Sequence, residues 1–124
     1  MRIAVCYNNP YGGAGRAVYE TSVRLAALHR VTLFTPTPEG RGLPELDRLH
    51  PVRPHPIAGF PPIPRPFGRF SPLTDLVELS LLNRAYQSIA DIINGAFDLA
   101  IVHSCPHTSA PLLLRQLYIP SAWY

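Results

Sequence analysis

Apolar positions change their period several times along this chain, and each change marks an element. Ile3-Ala4-Val5-Cys6-Tyr7 is a continuous apolar run, the pattern of a strand, about Arg2 to Tyr7, buried on both faces of a parallel sheet. From Ala17 to Leu28 the period becomes helical, with Val18, Thr21, Leu25 and Leu28 expected inward and Glu20, Arg24 and Arg30 outward. Val31-Thr32-Leu33-Phe34 is β-branched and aromatic and is stopped by Pro36 and Pro38, which makes it a second strand and completes a βαβ unit by residue 35.

The pattern then breaks. Eight prolines fall between Pro51 and Pro72, so the segment 36–70 is read as a proline-rich loop that offers at most a short edge strand near Val52 to Ile57. Its stretch from His50 to Phe70 holds Arg53, Arg65 and Arg69 and interleaves Phe60, Phe67 and Phe70, with no acidic residue. Regular structure resumes at Ser71, a candidate N-cap followed by Pro72 in the first helical position, and Asn94-Gly95 reads as the helix end. Leu76, Leu79, Leu82, Tyr86, Ile89 and Ile93 recur at helical spacing and predict a long packing helix. Phe97 to Val102 is a further buried strand, followed by a polar loop from His103 to Ser109, a short helix from about Pro111 to Leu117, and a last strand-like run from Ile119 to Tyr124.

Alternating strands and helices predict an α/β fold, a Rossmann-like, doubly wound parallel sheet in the order 3-2-1-4-5. In that order the first and fourth strands are neighbours whose connections leave in opposite directions, and ligands bind in the crevice this opens. The glycine-rich turn Gly12-Gly13-Ala14-Gly15-Arg16 follows one of these strands and His103 follows the other, so topology brings the two features together. A glycine-rich turn leading into a helix presents backbone N–H groups and a positive dipole end to an anion.

The 124 residues suit one domain, 1–124. With 47% apolar and 15% charged residues the chain is not a disordered one, and its net charge of +3 allows an anionic ligand or membrane surface without a basic stripe that would demand nucleic acid. All eleven basic residues are arginine, so an anion clamp here is guanidinium or backbone. Two cysteines, no leader-like N-terminus and no membrane-length apolar run lead to the expectation of a reduced, cytoplasmic protein, with peripheral contact at the inner face of the membrane left open.

Familiar chemistries can be weighed at the glycine turn. A dinucleotide fingerprint would place a third glycine where Val18 stands and an acidic residue where Thr35-Pro36 stands. A phosphate loop would need a lysine, and the chain has none. His103, Cys105 and His107 with Cys6 would suit zinc, but Cys6 reads better as a small buried hydrophobe and alternate loop residues seldom converge.

Taken in order, Met1-Arg2-Ile3-Ala4-Val5, the turn Gly12 to Arg16, Leu28-His29-Arg30-Val31-Thr32-Leu33-Phe34, Phe97-Asp98-Leu99-Ala100-Ile101-Val102-His103-Ser104 and Ile119-Pro120-Ser121 resemble the N-terminal, acceptor-side domain of family 4 retaining glycosyltransferases. The resemblance implies a GT-B enzyme of two Rossmann-like domains that moves a sugar from a nucleotide-sugar to a saccharide or lipid acceptor, with no metal or other cofactor. It implies that Gly12, Gly13, Gly15 and Arg16 face the donor's diphosphate or sugar, and that His103 touches the transferred sugar or acceptor as the catalytic contact. Ser104, Thr108, Arg65, Phe67 and Arg69 are expected on the acceptor side. For His103 the other reading is a strand-end histidine bonded to its own loop, and for Arg16 a solvated first-turn residue. The family's pair of glutamates eight positions apart in the second domain has no counterpart, since no two of Glu20, Glu39, Glu45 and Glu78 have that spacing, so the chain is expected to be an incomplete half, inactive alone, with donor and acceptor held through a missing C-terminal domain. Apolar surface is then expected around Leu114, Leu117, Ile119 and Trp123. The alternative is a non-catalytic Rossmann-like module for an anionic small molecule or a protein partner.

Overall fold

A computed structural model of the chain describes residues 1–7, 13–35, 53–56, 72–104 and 111–124. Five strands form one sheet: β1 (Arg2–Cys6), β2 (Arg30–Thr35), β3 (Arg53–Pro56), β4 (Leu99–Val102) and β5 (Ser121–Trp123). Their order is β3-β2-β1-β4-β5, and every pairing is parallel. The Rossmann-like order expected from the alternation of elements is therefore the order observed. β1 lies at the centre, and its register sets Cys6 beside Phe34 on β2 and beside Val102 on β4.

Two helices cover the two faces, and the side-chain alternation of β1 shows which is which. Ile3, Val5 and Tyr7 share a buried cluster with Val18, Val31 and Leu33, against which Tyr19 and Leu25 of α1 (Gly13–Ala26) pack. Ala4 and Cys6 point the other way, into a cluster with Phe34, Ala100, Val102 and the inward positions of α2 (Pro72–Ala96): Leu82, Ala85, Tyr86, Ile89, Ala90 and Ile93. Successive strand residues face opposite sides, so one apolar run feeds both cores. Phe34 and Phe97 meet edge to face there, 5.5 Å between centroids.

Several boundaries differ from the sequence expectation for local reasons. α1 starts at Gly13, one turn before Ala17, and ends at Ala26. Leu28 consequently lies past the helix, where the helical period no longer applies, and is 82% exposed, while Ser22 is buried among the inward positions. α2 has 25 residues, roughly 37 Å at 1.5 Å per residue, against a four-residue β4 of about 13 Å. Within its first half, Leu76 (64%) and Leu79 are exposed although they share the period of the buried Leu82 and Tyr86. Asn94 does not end the helix, which continues through Gly95 to Ala96. Its amide instead donates from Nδ2 to the Gln116 carbonyl (2.9 Å) and accepts at Oδ1 from the Tyr118 N–H (2.8 Å). These bonds fasten the 3-10 helix Leu112–Gln116 and the approach to β5 onto α2. The apolar surface expected there is smaller than anticipated: Leu114, Leu117 and Ile119 pack against the α2 cluster, and Tyr118 and Trp123 are exposed.

β3 confirms the edge strand expected near Val52 to Ile57. Alternate residues of a parallel strand bond to the same neighbour, so Arg53 and His55 can supply donors to β2 while Pro54 and Pro56 occupy the positions that face outward. At the opposite end of the strands, Asp98 accepts from the Arg2 backbone N–H (2.7 Å) and from Arg2 Nη2 (3.0 Å). The backbone bond first, then the guanidinium, holds its carboxyl below the usual range.

Candidate functional site

The carboxyl end of the sheet gathers the candidate residues. β1 ends at Cys6 and α1 begins at Gly13, a short connection that returns the chain to the same sheet edge with the helix N-terminus foremost. Gly13 and Gly15 are therefore first-turn helical residues instead of loop residues, and Gly15 is buried. First-turn N–H groups have no acceptor within their own helix, which leaves them for an anion or a neighbouring loop.

His103 stands one residue beyond β4. Its backbone N–H donates to the Cys6 carbonyl (2.9 Å), which extends the β1–β4 ladder by one step and sets His103 beside Tyr7. Across the other side, the Tyr124 N–H donates to the Val102 carbonyl (3.0 Å) and places Tyr124 beside His103. Three aromatic side chains from three adjacent strands so form a transverse row on the α1 face. The Tyr7 and His103 rings are 6.1 Å apart at 89°, and the His103 and Tyr124 rings 5.2 Å apart at 64°.

The row is buried on its inner side and open on its outer one. Tyr7 is 3% exposed, His103 6% and Tyr124 69%. The phenol oxygen of Tyr7 and Nε2 of His103 are buried with no hydrogen-bond partner among the described residues. Burial lowers the His103 pKa below 6.5, so the imidazole is uncharged at neutral pH, and it raises that of the Tyr7 phenol. His103 is thus a hydrogen-bonding group and not a cation.

Arg16 projects from the first turn of α1, where its Nε donates to Glu20 Oε1 at 3.1 Å across one helical turn. Both side chains are largely exposed, so solvent weakens the pair and leaves the guanidinium available to an anion. Ser104 Oγ lies 3.4 Å from the indole nitrogen of Trp123. Gly12, Thr108, Arg65, Phe67 and Arg69 lie outside the described residues, as do Ser71, Cys105 and His107. The zinc reading loses its geometry: Cys6 is packed into the α2-side core, with burial raising its thiol pKa, whereas His103 stands on the α1 side of the same sheet.

Sequence patterning placed Tyr7 and Tyr124 in strands and Glu20 on the outer helix face without connecting them to His103 or Arg16. The Arg16–Glu20 spacing of four residues was a readable signal. Tyr7 and Tyr124 become neighbours of His103 only through strand register. A cavity of about 570 Å³ lined by Arg2, His29, Arg30, Thr32 and Phe97 occupies the opposite sheet edge. Both α1 and α2 direct their carboxyl ends there, and the arginines offset that negative potential.

The fold class is that of a Rossmann-like α/β domain with its crevice between β1 and β4. Among solved structures, the C-terminal domain of a hydrogenase from Pyrococcus furiosus is similar to it, with 15% identity over 99% of this chain and 90% of that one and a TM-score of 0.56, a likeness of fold alone. No curated protein matches the chain significantly. The sequence profile of Glycosyltransferase Family 4 matches residues 11–123, nearly the whole chain, and the protein belongs to that family.

Proposed function

We propose that this chain forms part of a glycosyltransferase that moves a sugar from a nucleotide-sugar to a saccharide or lipid acceptor, with a second domain completing the site. The observation that carries the reading is that the α1 N-terminus and His103, one residue beyond β4, both lie at the carboxyl end of the parallel sheet. A departing nucleoside diphosphate gathers negative charge, which the first-turn N–H groups and Arg16 are suited to stabilise. The uncharged His103 suits the transferred sugar or the acceptor beside it. Ser104, Thr108, Arg65, Phe67 and Arg69 belong to the acceptor side in this reading, and contact with an anionic membrane surface through the arginines is read by cosedimentation with anionic liposomes.

The test is donor binding and steady-state transfer across a panel of nucleotide-sugars, with folding of each variant checked by circular dichroism. Gly13→Ala adds a Cβ where backbone must approach a diphosphate and is expected to weaken donor binding and turnover together. His103→Ala is expected to lower turnover roughly a hundredfold with a smaller change in KM. Binding of nucleoside diphosphates without transfer or donor hydrolysis across the panel favours the second reading, a non-catalytic module.

A further inference from the structure

The amino end of the sheet, opposite the end at which α1 begins, carries a cationic cluster of its own. β1 and β2 both open on an arginine, and the register makes Arg2 and Arg30 direct partners. Ala4 and Cys6 of β1 and Phe34 of β2 lie in the α2-side core, so by strand alternation the Arg2 and Arg30 side chains both leave the sheet on that same face. Like charges at directly opposed positions repel, and this pair has one full counter-charge for two cations. Both oxygens of Asp98 are engaged by Arg2, Oδ2 by its backbone N–H and Oδ1 by its Nη2. The Arg30 side chain has no hydrogen bond or ion pair among the described residues. The carboxyl ends of α1 and α2 add only partial negative charge. Part of it is already answered: Leu25 O accepts from the Leu28 and His29 N–H groups, and Ile93 O from that of Phe97.

The two arginines open onto the cavity of about 570 Å³ that they line together with His29, Thr32, Ala96 and Phe97, a volume within the range of small-molecule sites. Phe34 holds Phe97 edge to face, which makes that ring a fixed apolar wall. We propose that this cavity binds a small organic anion, a phosphate monoester or carboxylate whose oxygens bridge the Arg2 and Arg30 guanidiniums while its apolar body lies against Phe97 and Ala96. A guanidinium offers a planar fork of donors that matches such oxygens, and an anion between two of them replaces their repulsion with two charge-assisted contacts. The Thr32 hydroxyl and the His29 imidazole supply further polar partners along the same wall. An apolar body with a charged head fits this division of the lining, whereas a bare inorganic anion leaves the Phe97 side unused. The inference is independent of the glycosyltransferase reading, whose groups lie at the other end of the strands.

Amide-resolved NMR titration of the full chain tests it, with phenyl phosphate and benzoate as probes, inorganic phosphate as the head without a body and phenol as the body without a charge. Phenyl phosphate or benzoate is expected to shift the amides of Arg30, Thr32 and Phe97 at millimolar concentration, and whichever binds more tightly identifies the head group. Arg30→Gln is expected to weaken that probe roughly tenfold, the worth of one charge-assisted hydrogen bond. Asp98→Asn keeps an acceptor for the Arg2 N–H but removes the competing charge, and is expected to tighten the probe roughly two- to fivefold. The Arg30→Gln protein, relieved of repulsion, is expected to melt at the parent's temperature or above it. Shifts confined to the first turn of α1, or none from either probe, overturn the proposal. So does inorganic phosphate binding as tightly as phenyl phosphate and benzoate, because the arginines then act as surface charges alone. Parental affinity in Arg30→Gln overturns it as well, and if that variant misfolds, the Asp98→Asn response and the comparison of probes still decide.

Discussion

The Tyr7 and His103 side chains meet edge to face, 6.1 Å between centroids and 89° between planes, at the end of two neighbouring parallel strands. Neither polar tip has a partner among the described residues. The enclosure that leaves both tips unpaired makes this edge costly to the fold.

That cost gives a pH dependence. Burial depresses the folded-state pKa of His103 below its ordinary 6.5, so the unfolded chain takes up a proton more readily than the folded one. The contribution of His103 is fully present above about pH 6.5 and is lost as pH falls through the lower folded value. Urea denaturation at pH 7.5 and pH 5 is expected to show a drop in stability that is smaller in His103→Phe, which keeps a ring in the row. An equal drop in the two proteins counts against a titrating His103.

Removing an unpaired buried hydroxyl should help the free protein. Tyr7→Phe keeps the ring and its packing and deletes only Oη, so its stability is expected to equal the parent's or exceed it by up to about 1 kcal/mol. A loss beyond about 1 kcal/mol in chemical denaturation means that Oη has a partner in the free protein.

Gly95 sits inside the last turns of α2, and a Cβ built there meets nothing within 4 Å. Gly95→Ala is expected to raise stability by about 0.5–1 kcal/mol through the lower backbone entropy of the unfolded chain. A midpoint that stays put or falls would show that α2 does not extend as a regular helix to Ala96.

The side chain of Asn94 bridges α2 to the segment leading into β5 by two hydrogen bonds. Asn94→Ala leaves a carbonyl of Gln116 and an N–H of Tyr118 unpaired and is expected to cost about 1–3 kcal/mol. Hydrogen exchange locates the effect: the amides of Ala100 and Tyr124, which bond across β4 and β5, should exchange faster, while those of β1 and β2 hold. Uniform acceleration over the whole sheet would place the role of Asn94 in global stability instead.

Arg16 pairs with Glu20 across one turn of α1, at the end where an anion is proposed to bind. Glu20→Gln removes the competing carboxylate and is expected to tighten pyrophosphate binding roughly two- to fivefold at low salt, in line with the small worth of an exposed pair. Arg16→Ala is expected to weaken it, and salt should erode the difference. Indifference of pyrophosphate affinity to both changes removes Arg16 from the site.

The strand order was legible because the strands of this chain are continuous apolar runs ended by proline or polar residues, and parallel pairing follows from the helices between them. The same topology puts both His103, just past β4, and the start of α1 at the carboxyl end of the sheet. Helix limits were less legible. Gly13 and Gly15 are poor formers in a helix interior yet are accepted in a first turn, so α1 starts earlier than the apolar period indicates. Leu76 and Leu79 keep the period of Leu82 but not its burial, because periodicity does not report what packs against each turn of a helix. Tyr7 and Tyr124, 117 positions apart in the numbering of the chain, flank one histidine through register that no local pattern encodes.

The two rims of the sheet differ in what they can offer a further strand. Pro54 and Pro56 strip the outer side of β3 of amide donors, so a strand approaching there meets carbonyls alone and cannot complete a ladder. β5 carries no proline within Ser121–Trp123 and keeps its donors. Among the described residues the sheet therefore has a polarity: the β3 rim lacks outward amide donors, whereas the β5 rim keeps them, on the side where Tyr124 flanks His103.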